Sequence, residues 1–272
     1  MTGAPRLSTL LGIQIRYQML LMARAGRGYL LAIILPAFML ALLLRARTHG
    51  GEATIMAQHL ADMGGIIVFG TFTITYISYA TNLVTAREEG VLRRWHMTPL
   101  PAWLYFAGRI TVCILLADCA GILLLIVGAI LADVHLTVAR VICLLVADTL
   151  GALTLATLGT AITTMATTVQ SLGLITVFTY APMLILSGAV GKLSLPQWVD
   201  TLMSYLPVQP VIQSVSRALA PSSSGLPLIS SRDLAVLGAW AACCLALSLR
   251  FFRWDPHRPS HAPSLGLVYR PF

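Results

Sequence analysis

The sequence predicts an all-α membrane protein with six transmembrane helices, on three observations. Of its 272 residues, 57% are hydrophobic and only 10% are charged, whereas a soluble globular domain carries about 25% charged residues. Several apolar runs approach the roughly 17–25 residues that a helix needs to cross a bilayer. Those runs are continuous and do not alternate as barrel strands do. The net charge of +8 does not suggest nucleic-acid binding, because the arginines flank the apolar runs instead of lining one soluble face.

The predicted spans cover residues 29–44, 63–84, 110–131, 141–165, 172–187 and 234–249 of one transmembrane domain, with a flexible tail over 250–272 that is rich in Pro, His and Ser. The first span is short, and its flanking Arg24, Arg27 and Arg45 can snorkel. It lacks the small-residue cleavage pattern of a signal peptide and reads as retained. Before it, residues 7–23 mix Leu, Ile and Met with Gln14, Arg16 and Gln18. An interfacial helix is expected there, with imperfect amphipathicity because both glutamines fall near the apolar face.

Orientation follows from Lys and Arg bias. With the N-terminus inside, the inner segments are the N-terminal arm (Arg6, Arg16, Arg24, Arg27), the 85–109 loop (Arg87, Arg93, Arg94, Arg109) and the tail (Arg250, Arg253, Arg258, Arg270), which hold twelve of the eighteen Lys and Arg residues. Six spans then place both termini in the cytoplasm. The 188–233 loop is expected to fold back into the outer interface. Ser194 and Gln197 have capping-box spacing around Pro196, Leu195, Val199, Leu202 and Leu206 recur at helical spacing, and Trp198 and Tyr205 are interface-seeking aromatics. Pro207 and Pro210 are expected to break these short helices.

Candidate chemistry is sparse. Cys113, Cys119, Cys143, Cys243 and Cys244 all lie in apolar runs without metal or redox spacing and read as packing residues. His49, Glu52, His59 and Asp62 share an outer segment but have no metal-ligand spacing. LSGAVGKLS, residues 186–194, fails as a phosphate loop at both ends, since Leu186 stands where the first glycine is needed and Leu193 follows Lys192. Asp118 and Asp148 are the ionisable residues inside the spans. A proton relay, a substrate contact and a buried structural group are all open for them. Thr71, Thr75, Ser78 and Asn82 recur at spacings of four, three and four on one face of the second span. Beside them lie Phe69, Phe72, Tyr76 and Tyr79. The polar stripe should face a partner helix, a pathway or a subunit interface.

The densest charge lies in AREEGVLRRWHMTPLP, residues 86–101. On a helix continuing from the second span, Val84, Val91, Leu92 and Trp95 share one side, and Arg87, Glu89, Arg93, Arg94 and His96 take the rest. The turn Thr98-Pro99-Leu100-Pro101 ends it. A solvated loop explains the arginines but not Glu88-Glu89, the apolar stripe or the proline turn. A docking surface for a cytoplasmic partner explains all of them.

This segment resembles the cytoplasmic element of type-2 ABC exporter permeases, in which E/R-E-x-G-x-L-x-x-x-x-x-T-P follows the second span. Gly90, Leu92, Thr98 and Pro99 match beside the acidic pair Glu88-Glu89, and Val91 stands where threonine is common. SGAVGKLSLPQWVDTLMSYLP resembles the Ser-Gly, Leu-Pro and distal proline that follow the fifth span, through Ser187, Gly188, Leu195, Pro196 and Pro207. The resemblance covers nearly the whole chain and is nearest to the bacterial drug-resistance, daunorubicin-resistance-like branch.

The resemblance implies a transport subunit, not an enzyme, in the bacterial inner membrane. It would pair with a second copy or a similar permease and be driven by separate ATPase subunits that hold the ATP and magnesium, with no cofactor or metal on this chain. Arg87, Glu88, Glu89, Gly90, Leu92, Arg93, Arg94, Thr98 and Pro99 would couple to the ATPase. Ser187, Gly188, Pro196 and Pro207 would form an outer gate. An amphiphilic drug or antibiotic is the implied cargo. The alternatives are export of a lipid-linked glycan or polymer, and an ion-coupled transporter using Asp118 or Asp148. A membrane enzyme acting on lipids would need clustered acids or histidines, which the sequence lacks.

Overall fold

A computed structural model describes residues 7–24, 26–46, 52–97, 102–132, 137–166, 168–186, 197–219 and 230–251. Among the described residues the chain is helical, with no strand. The helices are α1 (Leu7–Arg24), α2 (Gly26–Ala46), α3 (Glu52–Phe72), α4 (Tyr79–Glu88), α5 (Val91–His96), α6 (Ala102–Ala132), α7 (Val138–Met165), α8 (Val169–Leu186), α9 (Gln197–Met203), α10 (Val208–Leu219) and α11 (Ser231–Phe251). A π-helical turn, Thr73–Ser78, joins α3 to α4 without a break.

Four stretches are long and apolar enough to cross a membrane: Asp62–Glu88, Trp103–Leu131, Val138–Met165 and Ser231–Arg250. Two shorter apolar helical stretches are Ile33–Leu42 and Val169–Met183. Large apolar side chains such as Leu174, Val177, Phe178, Ile130 and Ile142 lie on the outside, a surface that suits hydrocarbon and not water.

The α3–α4 rod is the most interior of the four long stretches. Its first half packs Met63, Ile66 and Ile67 with Leu40 of α2, Leu124 of α6, Leu144 of α7 and Val211 of α10. Its second half packs Ile74, Tyr79 and Leu83 with Ile110 and Cys113 of α6 and Ala152 and Ala156 of α7. Between helices in lipid, close approach of small residues replaces the hydrophobic drive. Gly159 of α7 shows this, because a Cβ there would lie 3.3 Å from the carbonyl oxygens of Thr75 and Tyr76. The π turn therefore presses its backbone directly onto α7.

The threonine-rich helices become compatible with lipid by bonding to themselves. Thr154, Thr157, Thr160 and Thr163 donate to carbonyls three or four residues back in α7, and Thr73 and Thr75 donate to Phe69 and Thr71. Each hydroxyl is satisfied without a partner helix.

Four sequence expectations differ from the structure. Gln14 and Gln18 are the buried side of α1, while Ile13, Tyr17, Leu20 and Leu21 point outward. The glutamine face lies on α6, where Gly108 makes room for Gln14. Helix α6 starts at Ala102, so Arg109 lies inside it, buried between the rings of Tyr79 and Tyr105. Pro210 sits in the first turn of α10, where its missing N–H costs nothing, and does not break that helix. Finally, the second span does not run on as one helix through Met97. It stops at Glu88, and α5 restarts after Gly90, whose φ of 71° belongs to the left-handed region that glycine adopts freely.

Candidate functional site

The charged segment sits where α4 ends against the corner between α7 and α8. Helix α7 finishes at Met165, and Ala166 is extended (φ −82°, ψ 132°), which leaves the last carbonyls of α7 needing donors. Arg87 supplies them. Its Nη1 donates to the Thr163 carbonyl at 3.1 Å and its Nη2 to the Ala166 carbonyl. Its side chain is 4% exposed, so these charge-assisted bonds offset the cost of burying a guanidinium.

Glu88, the next residue, does the converse. Its Oε1 accepts from the Val169 N–H, the first of α8, at 2.9 Å. Thr168 and Ser171 complete that helix start by exchanging backbone N–H and side-chain oxygen bonds at 3.0 and 3.1 Å. A cation thus meets the negative end of α7 and an anion the positive end of α8, as the helix dipoles favour.

Beyond the Gly90 turn, α5 is pinned by Leu92, which is fully buried with Tyr105 and Phe106 of α6. Glu89, Arg94 and Met97 are exposed. The structure therefore divides the residues grouped by sequence. Arg87 and Leu92 face the interior, Glu88 bonds the α8 start from the surface, Gly90 makes the turn, and Glu89 and Arg94 remain outward. The Arg93 side chain, Thr98 and Pro99 lie outside the described residues.

In the core, the Thr71 Oγ1 donates to Asp148 Oδ1 at 2.7 Å. Asp148 is 0% exposed, and its Oδ2 has no hydrogen-bond partner among the described residues. That oxygen faces Gly121 of α6, 3.1 Å from where a Cβ would stand. One turn back on α6, Asp118 accepts from Thr149 Oγ1 at 3.1 and 3.2 Å. Both carboxylates therefore lie on the α6–α7 contact, a pairing that spacing along either helix could not reveal. In the polar stripe, Thr71 and Thr75 are buried, and Ser78 and Asn82 are half-buried. Asn82 donates to the Ser78 carbonyl at 2.8 Å. The neighbouring aromatics reach α8, through Phe72, whose ring lies tilted at 4.8 Å from that of Tyr180, and through Tyr76 OH at 2.5 Å from Thr179 Oγ1.

At the opposite end, α9 and α10 are tied to the start of α11. Arg217 pairs with Asp233 at 2.5 Å, Arg232 donates to Ser204 at 2.9 Å while lying over the Tyr205 ring, and Trp240 Nε1 donates to the Tyr205 carbonyl at 2.7 Å. Pro207 is buried just before α10. Ser187, Gly188 and Pro196 lie outside the described residues.

A family model described as "ABC-2 type transporter" matches residues 9–219. No curated protein matches the chain.

Proposed function

Because the chain belongs to the ABC-2 type transporter family, and is accordingly a multi-pass membrane permease and not itself an enzyme, we propose that it is the membrane subunit of an exporter powered by a separate ATPase docked at residues 89–97. The ATPase holds ATP and magnesium. The exporter stands in a bacterial inner membrane with both termini of this chain in the cytoplasm. It carries an amphiphilic compound such as a drug or antibiotic, and it works as a pair of permeases. Residues 33–42 and 169–183 supply two further spans, for six in all, and α1 lies on the inner leaflet with Ile13, Tyr17, Leu20 and Leu21 toward lipid. The α9–α10 region, with Pro207 and the preceding Ser187, Gly188 and Pro196, is the outer gate.

The observation that carries the docking site is the exposed Glu89–Arg94 edge of α5. Buried Leu92 seats the other side of α5 on α6, and the Gly90 turn leaves this edge facing outward. Mixed charge on a short, firmly seated helix suits a protein groove better than lipid. Replacing Glu89 and Arg94 together with alanine leaves insertion unchanged and lowers the co-purified ATPase about tenfold, two exposed charge contacts at about 0.7 kcal/mol each. Undiminished ATPase in that variant would remove the docking site from this edge.

A further inference from the structure

We propose that Arg87 and Glu88 are positioning residues that clasp the α7–α8 corner and deliver the movement of the docked ATPase into both helices, without themselves forming the docking surface. The inference rests on the exporter reading and assigns these two residues a part within it. Helix α5 has six residues and is joined to α4 through a glycine turn, so by itself it is a poor lever. The rigid connections lie one turn earlier, in three hydrogen bonds from adjacent side chains to two different helices.

Those two helices reach far. Helix α7 has 28 residues, about 42 Å of rod. It packs against α10, with Gly151 facing Val211, and against α11, where Thr154 donates to the Leu237 carbonyl. Helix α8 holds Thr179 and Tyr180 against Tyr76 and Phe72 at and beside the π turn. Displacing the α7–α8 corner therefore acts on the α9–α10 end and on the middle of the central rod.

The order of the two charges is essential. Arg87 meets carbonyls at a helix C-terminus and Glu88 meets an N–H at a helix N-terminus, so exchanging them would set like partial charges against each other at both ends. A patch that only attracted a partner would be indifferent to that order. It would also have no use for burying Arg87.

The test uses the full permease–ATPase complex and needs no knowledge of the cargo. Trapping the ATPase with ATP and vanadate is expected to change backbone hydrogen exchange through residues 158–166 and 169–186 of the unaltered chain. Glu88→Ala retains the ATPase in full and reduces that change about tenfold. Glu88→Gln, which restores an acceptor for the Val169 N–H, recovers at least about half of it. If the Arg87→Glu/Glu88→Arg exchange fails to accumulate, the Glu88 pair alone decides. A Glu88→Ala complex that responds to vanadate like the unaltered one would overturn the proposal, and so would one that sheds its ATPase as the Glu89/Arg94 variant does. An unaltered chain that carries no ATPase overturns the proposal together with the exporter reading.

Discussion

Asp148→Lys does not accumulate in the membrane, whereas Asp148→Asn inserts, assembles and transports like the parent chain. The contrast follows from where the side chain lies. Asp148 is fully buried between α3, α6 and α7, with Thr71 donating to one oxygen and Gly121 facing the other. An asparagine keeps the acceptor for Thr71 and fills the same volume, and it brings no charge to desolvate. A lysine ammonium would need to leave water, and its side chain is longer than the carboxylate for which Gly121 makes room. A charge at the centre of a spanning helix costs about 2.5–3.5 kcal/mol on insertion scales. That compares with about 1–3 kcal/mol for one unpaired polar atom, so the charge dominates. Expression level and size-exclusion behaviour in detergent check both variants, and transport checks the asparagine. An intact Asp148→Asn chain that has lost transport would show that the carboxyl itself takes part, and would favour the ion-coupled alternative built on Asp118 and Asp148.

Gly159→Leu lowers the thermal midpoint of the purified protein by about 5 °C, roughly 2 kcal/mol of overpacking at about 2–4 °C per kcal/mol. The close neighbours of the missing Cβ are main-chain oxygens of Thr75 and Tyr76. No rotamer change can relieve a contact with backbone, so either α7 or the π turn must shift. The turn also holds Tyr76 against Thr179, and the shift loosens α8 as well. Gly159→Ala, with one methyl to place at that distance, moves the midpoint by less. A leucine variant as stable as the parent would mean that α7 does not rest on the π turn.

Much of this architecture can be read from apolar run length alone. Val138–Met165 and Ser231–Phe251 fall within a few residues of the expected spans, because a helix that must satisfy its backbone in lipid leaves an unbroken apolar record. Relations between helices leave no such record. Arg87 looks solvated in sequence because its partners, Thr163 and Ala166, stand 76 and 79 residues away. Glu88 and Val169 are 81 apart. The glutamines of α1 spoil its amphipathic pattern until α6 is placed beneath them. The stripe from Thr71 to Asn82 was legible as polar, but not that Thr75 and Asn82 donate to carbonyls of their own helix while Thr71 donates to Asp148 in another. Gly90 carried a usable signal, since a glycine inside a charged helical pattern often marks a turn. No local signal announces the π turn.

The central claim is that a separate ATPase drives this permease, and gentle extraction of the tagged chain from native membranes tests it most directly. A soluble subunit with Walker motifs, recovered in amounts comparable to the chain and lost when Glu89 and Arg94 are neutralised, is the expected result. Reproducible isolation of a transport-competent chain with no ATPase attached would contradict it.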